Sequence, residues 1–142
     1  KNPEATAAAL DSEGWYHTGD LGVLDQEGNL YIRGRCKNML LGSNGQNIYP
    51  EEIEDKLNTL PYVMESVVIQ KGEKLHALIH PDYEEAEKAG LDENALNRQM
   101  EENRRMLNTM INAYEQIVSV KLHKEEFEKT PKRSIKRFLY TE

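Results

Sequence analysis

The chain has 142 residues, of which 38% are hydrophobic and 30% are charged; these values are ordinary for one soluble globular domain with a piece of another. Its formal net charge of −7 argues against nonspecific binding of nucleic acid, which needs a broad basic face. A single cysteine, Cys36, excludes an internal disulfide and a multi-cysteine zinc site. Because no apolar run approaches the roughly 20 residues that span a bilayer and no starting methionine or signal peptide is present, we interpret the chain as a segment of a longer cytoplasmic protein. A peripheral position at the inner membrane face stays open.

The first third of the chain predicts two hairpins. Residues 1–14 look irregular. Two apolar runs with an Asp-Gln-Glu-Gly-Asn sequence between them predict a hairpin over residues 21–33, because glycine and asparagine tolerate positive φ. A second strand-turn-strand unit, with residues 42–46 as its turn, follows over residues 38–49.

The rest of the chain predicts a helix, two strands, further helices and a last strand. Pro50 suits the first position of a helix, and Pro61 ends that helix. The later segments are strands at 63–70 and 75–80, a polar helical stretch at 82–116 and a strand at 117–122. Asp92 is the expected N-cap of the second part of the helical stretch. An apolar stripe on this stretch is expected to face the core: Leu96, Met100, Leu107, Met110 or Ile111, and Tyr114. This order predicts an α+β fold, in which a hairpin precedes a small mixed or antiparallel sheet with helices on its faces.

Three segments contain side chains suited to chemistry with phosphates and sugars. The first ends in Thr-Gly-Asp, where the carboxylate of Asp20 either accepts hydrogen bonds from a ribose diol or bonds its own backbone. In the second, Arg35 can bind a phosphate bidentately, and the glycines of residues 42–45 either let a backbone approach a ligand or serve an ordinary turn. The third, residues 130–137, is a cluster of cations that can stabilise developing negative charge. The alternative interpretation is that this segment belongs to a solvated basic surface strand. That strand would include all seven basic residues of the stretch from 121 to 137: Lys121, Lys124, Lys129, Lys132, Arg133, Lys136 and Arg137.

In this order and at these distances, the segments resemble the adenylate-forming superfamily of acyl-CoA synthetases, peptide-synthetase adenylation domains and luciferases. Residues 15–22 are similar to its (W)-(Y/F)-x-T-G-D segment. Residues 34–54 are similar to the segment that runs from Gly-Arg through a glycine-containing turn to Pro-x-x-(Ile/Val)-Glu. The polar helical stretch is most similar to that of bacterial long-chain fatty acid–CoA ligases. The resemblance implies that residues 1–33 end the large adenylation domain and that residues 34–142 form the mobile C-terminal lid domain.

The resemblance also implies a reaction in two steps. A carboxylic acid first attacks the α-phosphate of ATP bound to Mg²⁺, which gives an acyl-adenylate and pyrophosphate, and the thiol of coenzyme A then displaces AMP. The implied site residues are Asp20 for the ribose hydroxyls, Arg35 for the ribose-phosphate region, Lys37 for the hinge of the lid, and Gly42, Ser43 and Gly45 for the coenzyme A tunnel. The Mg²⁺ ligands, the phosphate loop and the acyl pocket belong to the upstream domain, so we expect the fragment alone to be inactive and assign it no metal ligand.

The terminal segment departs from the family pattern P-x-x-G-K-(I/V)-x-R. Aligned on Ile135 and Arg137, the position of the lysine that assists adenylation holds Ser134, which cannot supply a charge. Lys132 and Lys136 are the candidate replacements, because on an extended strand they would share the face of residue 134.

Two alternatives stay open. In the first, the enzyme loads the phosphopantetheine of a carrier protein, although no carrier domain follows in this sequence. In the second, the chain is a non-catalytic binding module that kept the lid fold; Ser134 favours this interpretation, whereas Asp20, Arg35 and Gly45 argue against it.

Overall fold

The structure of the chain, a computed structural model, describes residues 2–141, and of Arg33, Gly34 and Cys36 it describes the backbone alone. The chain divides into two compact units, residues 1–39 and residues 40–142. Each unit is described by itself.

The first unit contains a short helix and a hairpin. Helix α1 (Pro3–Ala9) begins after Asn2, whose side-chain oxygen accepts a hydrogen bond from the Ala5 N–H at 3.2 Å. The expectation that residues 1–14 are irregular was therefore wrong for this stretch, because an N-cap, a proline at the first position and an alanine-rich run together favour a helix. Strands β1 (Asp20–Leu24) and β2 (Leu30–Arg35) form the predicted antiparallel hairpin.

The second unit is built on small sheets. Strands β3 (Leu40–Leu41) and β4 (Asn47–Ile48) pair as a short antiparallel ladder. The main sheet has the order β5-β6-β7, with β5 at Val63–Lys71, β6 at Lys74–Pro81 and β7 at Ile117–Leu122. Strands β5 and β6 are antiparallel, whereas β6 and β7 are parallel, and a parallel neighbour needs a long crossover connection.

Helices α2 (Pro50–Leu57), α3 (Tyr83–Lys88) and α4 (Glu93–Met110) complete the unit. The crossover from β6 to β7 contains α3 and α4, whereas α2 precedes β5. Short 3₁₀ turns lie at Cys36–Asn38, Ala113–Glu115 and Arg137–Leu139. The Asp92 carboxylate accepts a hydrogen bond from the Ala95 N–H at 2.7 Å, so the predicted N-cap of α4 is confirmed. The predicted α+β class is confirmed as well.

The main sheet is covered on both faces, but by different kinds of structure. On one face, Val68 of β5 belongs to a core cluster with Ile53 and Leu57 of α2 and Leu107 of α4. On the other face, Val67 and Ile69 pack against residues that follow the last strand: Phe127, Ile135 and Tyr140. Because neighbouring residues of a strand point to opposite faces, the helices and the end of the chain cover opposite sides of the sheet.

The apolar stripe of α4 faces the core only in part. Leu96, Met100 and Leu107 are buried and Ile111 packs against the same cluster, whereas Met110 and Tyr114 are each 41% exposed. The buried face also contains a polar residue that the sequence pattern did not reveal. Asn103 is 2% exposed, and its amide nitrogen donates to the Pro61 carbonyl at 2.8 Å.

Candidate functional site

Asp20 and Arg35 lie opposite each other on the hairpin of the first unit. They are register partners of β1 and β2, and Nη1 of Arg35 donates to Oδ1 of Asp20 at 2.9 Å. Gly19 precedes them with a φ of +78°, and a Cβ at that position would lie 3.5 Å from Nη2 of Arg35. The positive φ favours glycine at this position, whereas the distance to Arg35 is an ordinary van der Waals contact. The Thr-Gly-Asp turn thus places a carboxylate and a guanidinium side by side, a pair suited to a ribose diol and a phosphate.

Lys37 lies in the 3₁₀ turn that follows β2, and its side chain is exposed. The division between the two compact units falls after Met39. The residue predicted to act as a hinge therefore lies close in sequence to that division.

Residues 42–46 form the turn between β3 and β4. The Gly42 N–H donates to the Gln46 carbonyl at 2.8 Å, and the Gly45 N–H donates to the Gly42 carbonyl at 2.9 Å. Gly45 has a φ of +82°, and both Ser43 and Gly45 are exposed, whereas Gly42 is buried. The three residues predicted for coenzyme A thus share one turn, whose tip is open to solvent.

The terminal segment, residues 127–140, contains a tight turn, so it lacks the extended strand on which Lys132 and Lys136 would share a face. Lys129 and Ile135 form an antiparallel bridge, and the Thr130 N–H donates to the Ser134 carbonyl at 2.8 Å. Chain reversal at Pro131 explains the difference, and it separates the two candidate lysines. Lys132 is exposed at the tip of the turn and its side chain has no ion pair with a residue in the described part of the chain. Nζ of Lys136 lies 2.7 Å from Oε1 of Glu128.

Arg133 adopts a backbone conformation that favours glycine. Its φ is +63°, a region that non-glycine residues rarely occupy. In the pattern P-x-x-G-K-(I/V)-x-R, glycine directly precedes the lysine, so the alignment that places Ser134 at the lysine position places Arg133 at the glycine position. The turn geometry is consistent with that alignment.

A buried ion pair joins the terminal segment to α2. Nη1 of Arg137 donates to Oε2 of Glu54 at 2.6 Å, and Nη2 of Arg137 donates to the other carboxylate oxygen. The Val68 N–H of β5 donates to Oε2 of Glu54 at 2.7 Å. Glu54 is 6% exposed, and this burial raises the pKa of its carboxyl to about 7, although the bonds from Arg137 and Val68 act in the opposite direction.

Further contacts bind the start of the terminal segment to β5. Glu65 forms an ion pair with Lys129, and its Oε2 accepts a hydrogen bond from the Phe127 N–H at 3.3 Å. The ring of Phe127 lies 4.9 Å from that of Tyr140, measured between centroids, in an edge-to-face arrangement. The interpretation of residues 121–137 as a solvated basic strand was therefore wrong for Lys129, Lys136 and Arg137, which form ion pairs.

Sequence reasoning did not find the Glu54–Arg137 pair. Its two members are 83 positions apart, and no periodicity connects residues at such a separation. One signal was available, because Glu54 ends the Pro-x-x-(Ile/Val)-Glu segment and Arg137 ends the terminal pattern.

Among the side chains that the structure describes, no group of three histidine, cysteine, aspartate or glutamate residues lies close enough to hold a metal ion. None of the helices in the described part of the chain is both long and apolar enough to cross a membrane.

Solved structures of adenylate-forming enzymes share this fold. The adenylation domain of a carboxylate reductase from Mycobacterium chelonae superposes with a TM-score of 0.84 at 23% identity, over 98% of this chain and 23% of that chain. Unliganded O-succinylbenzoate coenzyme A synthetase from Bacillus subtilis gives a TM-score of 0.60 at 28% identity, over 87% of this chain and 24% of that chain. Residues 37–142 match the family model for the AMP-binding enzyme C-terminal domain, and the chain belongs to this family.

Curated relatives are similar over about half of the chain. Long-chain-fatty-acid–CoA ligase FadD13 of Mycobacterium tuberculosis is 51% identical over 67 residues, which is 47% of this chain and 13% of that protein. The putative acyl–CoA ligase YdaB of Bacillus subtilis is 40% identical over 68 residues, or 48% of this chain and 13% of that protein. The chain thus spans about an eighth of the length of these relatives.

Proposed function

We propose that this chain is the C-terminal part of an ATP-dependent acid–thiol ligase that makes an acyl-adenylate and then an acyl-CoA. The observation that carries the proposal is the match of residues 37–142 to the AMP-binding enzyme C-terminal domain. The names of the relatives FadD13 and YdaB support an acyl-CoA product, and the former supports long-chain fatty acids as the substrate class. In this proposal residues 1–33 end the large adenylation domain, residues 34–142 form the lid, and the upstream domain of the same protein is the partner of the lid.

Asp20 and Arg35 are the proposed contacts to the nucleotide. Their 2.9 Å contact in an exposed hairpin supports a shared ligand, because the carboxylate accepts hydrogen bonds from a diol and the guanidinium donates to phosphate oxygens. Lys37 is the proposed hinge of the lid.

The turn of residues 42–46 is the proposed contact to coenzyme A. Ser43 and Gly45 are exposed, and a side chain at Gly45 would be strained by its φ of +82°. Gly42 is buried and closes the same turn through the hydrogen bond from its N–H to the Gln46 carbonyl. ATP and coenzyme A are substrates of the proposed reaction, which also uses Mg²⁺; the described residues offer no cluster that fits this ion, so we assign no Mg²⁺ ligand to this chain.

Lys132 is our preferred cation for the adenylate-forming step. Nζ of Lys136 lies 2.7 Å from Oε1 of Glu128, whereas Lys132 is exposed at the tip of the turn, two residues before the position of the family lysine. A cation that is already paired in the protein contributes less to a developing charge than one that is available to the substrate.

The test uses the full-length protein that contains this chain. Pyrophosphate release and acyl-CoA formation are measured with ATP, coenzyme A and either acetate, octanoate or palmitate, for the wild type, Lys132→Ala and the matched control Lys136→Ala. We expect palmitate to be the best substrate and Lys132→Ala to slow adenylation by about a hundredfold, while thioester formation from supplied acyl-adenylate survives. A wild-type protein that makes no acyl-CoA from any acid would refute the ligase proposal.

A further inference from the structure

Three elements of the second unit meet at one buried carboxylate. Glu54 comes from the second turn of α2, the Val68 N–H comes from β5, and Arg137 comes from the terminal segment. The side chain of Arg137 is 17% exposed. The carboxylate therefore connects the last motif of the chain to the helix and sheet on which the unit is built.

The contact with Arg137 constrains direction as well as distance. Two parallel hydrogen bonds between a guanidinium and a carboxylate restrict the relative orientation of both groups. Two residues earlier in the chain, Ile135 packs against Val67 and Ile69 of the sheet. The base of the terminal turn is thus fixed by one ion pair and one apolar contact, whereas its tip, with Lys132, is exposed.

Stability alone is a poor explanation for such a pair. Removing two charges from water costs about as much as their attraction returns, and a well-packed apolar pair is often at least as stable. What an ion pair adds is a defined geometry. A small misplacement of a group that stabilises a transition state costs about a hundredfold in rate.

We propose that Glu54 and Arg137 are positioning residues for acyl-adenylate formation: their ion pair fixes the base of the terminal turn and thereby the location of Lys132. The inference rests on the proposed function. Neither residue is assigned a contact with substrate.

The experiment measures both half-reactions in the full-length enzyme at pH 8. Burial raises the pKa of the Glu54 carboxyl to about 7, so the carboxyl is mostly ionised at this pH and pairs with Arg137 as an ion. Adenylation is followed by acid-dependent exchange of pyrophosphate into ATP, and thioester formation by the release of AMP from supplied acyl-adenylate and coenzyme A. The variants are Glu54→Gln, Arg137→Met and Arg137→Lys. The matched control is Glu101→Gln, which breaks the ion pair with Arg104 on the surface of α4.

We expect Glu54→Gln and Arg137→Met to slow adenylation by about a hundredfold and to leave thioester formation within about twofold of the wild type. Arg137→Lys should retain more adenylation than Arg137→Met, because it keeps the charge but loses the paired geometry. The control should match the wild type in both half-reactions.

Folding defects are separated by the double variant Glu54→Gln/Arg137→Met, which leaves no unpaired buried charge. We expect its melting temperature to return towards that of the wild type while its adenylation stays low. If both recover together, or if the single variants lose both half-reactions by the same factor, the pair serves stability and the inference is overturned. If the wild type makes no acyl-adenylate at all, both the proposed function and this inference are refuted. If the wild type is active and the variants are fully active as well, only this inference is refuted.

Discussion

The buried carboxyl of Glu54 should give the chain an unusual dependence of stability on pH. Burial raises its pKa from 4.5 to about 7 in the folded state, whereas the unfolded chain keeps the ordinary value. The folded protein therefore binds the extra proton between these two pH values. Since stability falls with rising pH wherever the folded state binds more protons, the contribution of Glu54 is fully present below pH 4.5 and is lost as the pH rises towards 7.

The size of the effect follows from the two pKa values. At pH 7 the folded state is less stable than at low pH by about 3 kcal/mol from this group alone, and about 2 kcal/mol of that loss falls between pH 5 and pH 7. The charged groups with a direct effect on Glu54 are Arg137 from the terminal segment, which lowers its pKa, and Glu51 from α2, which raises it.

The assay compares urea unfolding of the wild-type chain and Glu54→Gln at pH 5, 6, 7 and 8. Far-ultraviolet circular dichroism is the appropriate probe, because it follows the helices and strands of the unit that contains Glu54, whereas the single tryptophan, Trp15, belongs to the other unit. All groups common to both proteins cancel in the difference. The wild type should lose about 2 kcal/mol more than the variant between pH 5 and pH 7. Equal slopes, or a wild type that gains stability over this range, would show that the ion pair outweighs burial and that the reasoning is wrong.

Three other predictions concern single positions. Arg133→Gly should stabilise the chain by about 1 kcal/mol because of the φ of +63°, whereas Lys132→Gly should destabilise it by about 0.5–1 kcal/mol; thermal unfolding distinguishes them. Asn103→Ala should cost about 1–3 kcal/mol, since it leaves the Pro61 carbonyl without its donor, and the exposed Asn97→Ala on the same helix should stay within about 0.5 kcal/mol of the wild type. In the full-length enzyme, Asp20→Ala should raise the KM for ATP about tenfold or more, because a hydrogen bond to a charged group contributes about 1.5–3 kcal/mol; an unchanged KM would remove Asp20 from the nucleotide site.

Local chemistry explains which elements could be predicted from the sequence. The turn-forming residues between β1 and β2 determine the backbone conformation only of residues a few positions away. The same is true of Pro50 at the start of α2 and of Asp92 at the start of α4. The Asp92 contact to the Ala95 N–H, for example, spans three residues. A reader of the sequence can therefore place these elements without knowing the rest of the structure.

Long-range contacts explain what could not be predicted. The parallel pairing of β7 with β6, the burial of Asn103 against Pro61 and the pairing of Glu54 with Arg137 each join residues about 40 or more positions apart. The course of the terminal turn could not be predicted for the same reason. Its basic residues suggested solvent exposure, but their partners, such as Glu54 and Glu65, lie far away in the sequence.

The departure at Ser134 is easier to understand once the turn and its base are considered separately. Arg133 keeps a positive φ at the position where the family pattern has glycine, and Arg137 keeps the contact to Glu54 at the end of that pattern. The backbone course of the motif is thus retained around a residue that lacks the charge. A cation at an exposed tip can be supplied from a neighbouring position, such as Lys132, because long side chains reach over several ångströms. An arginine that must bind a buried carboxylate in one orientation has no such freedom. We therefore expect a substitution at Arg137 to reduce adenylation more than the serine already present at position 134 does.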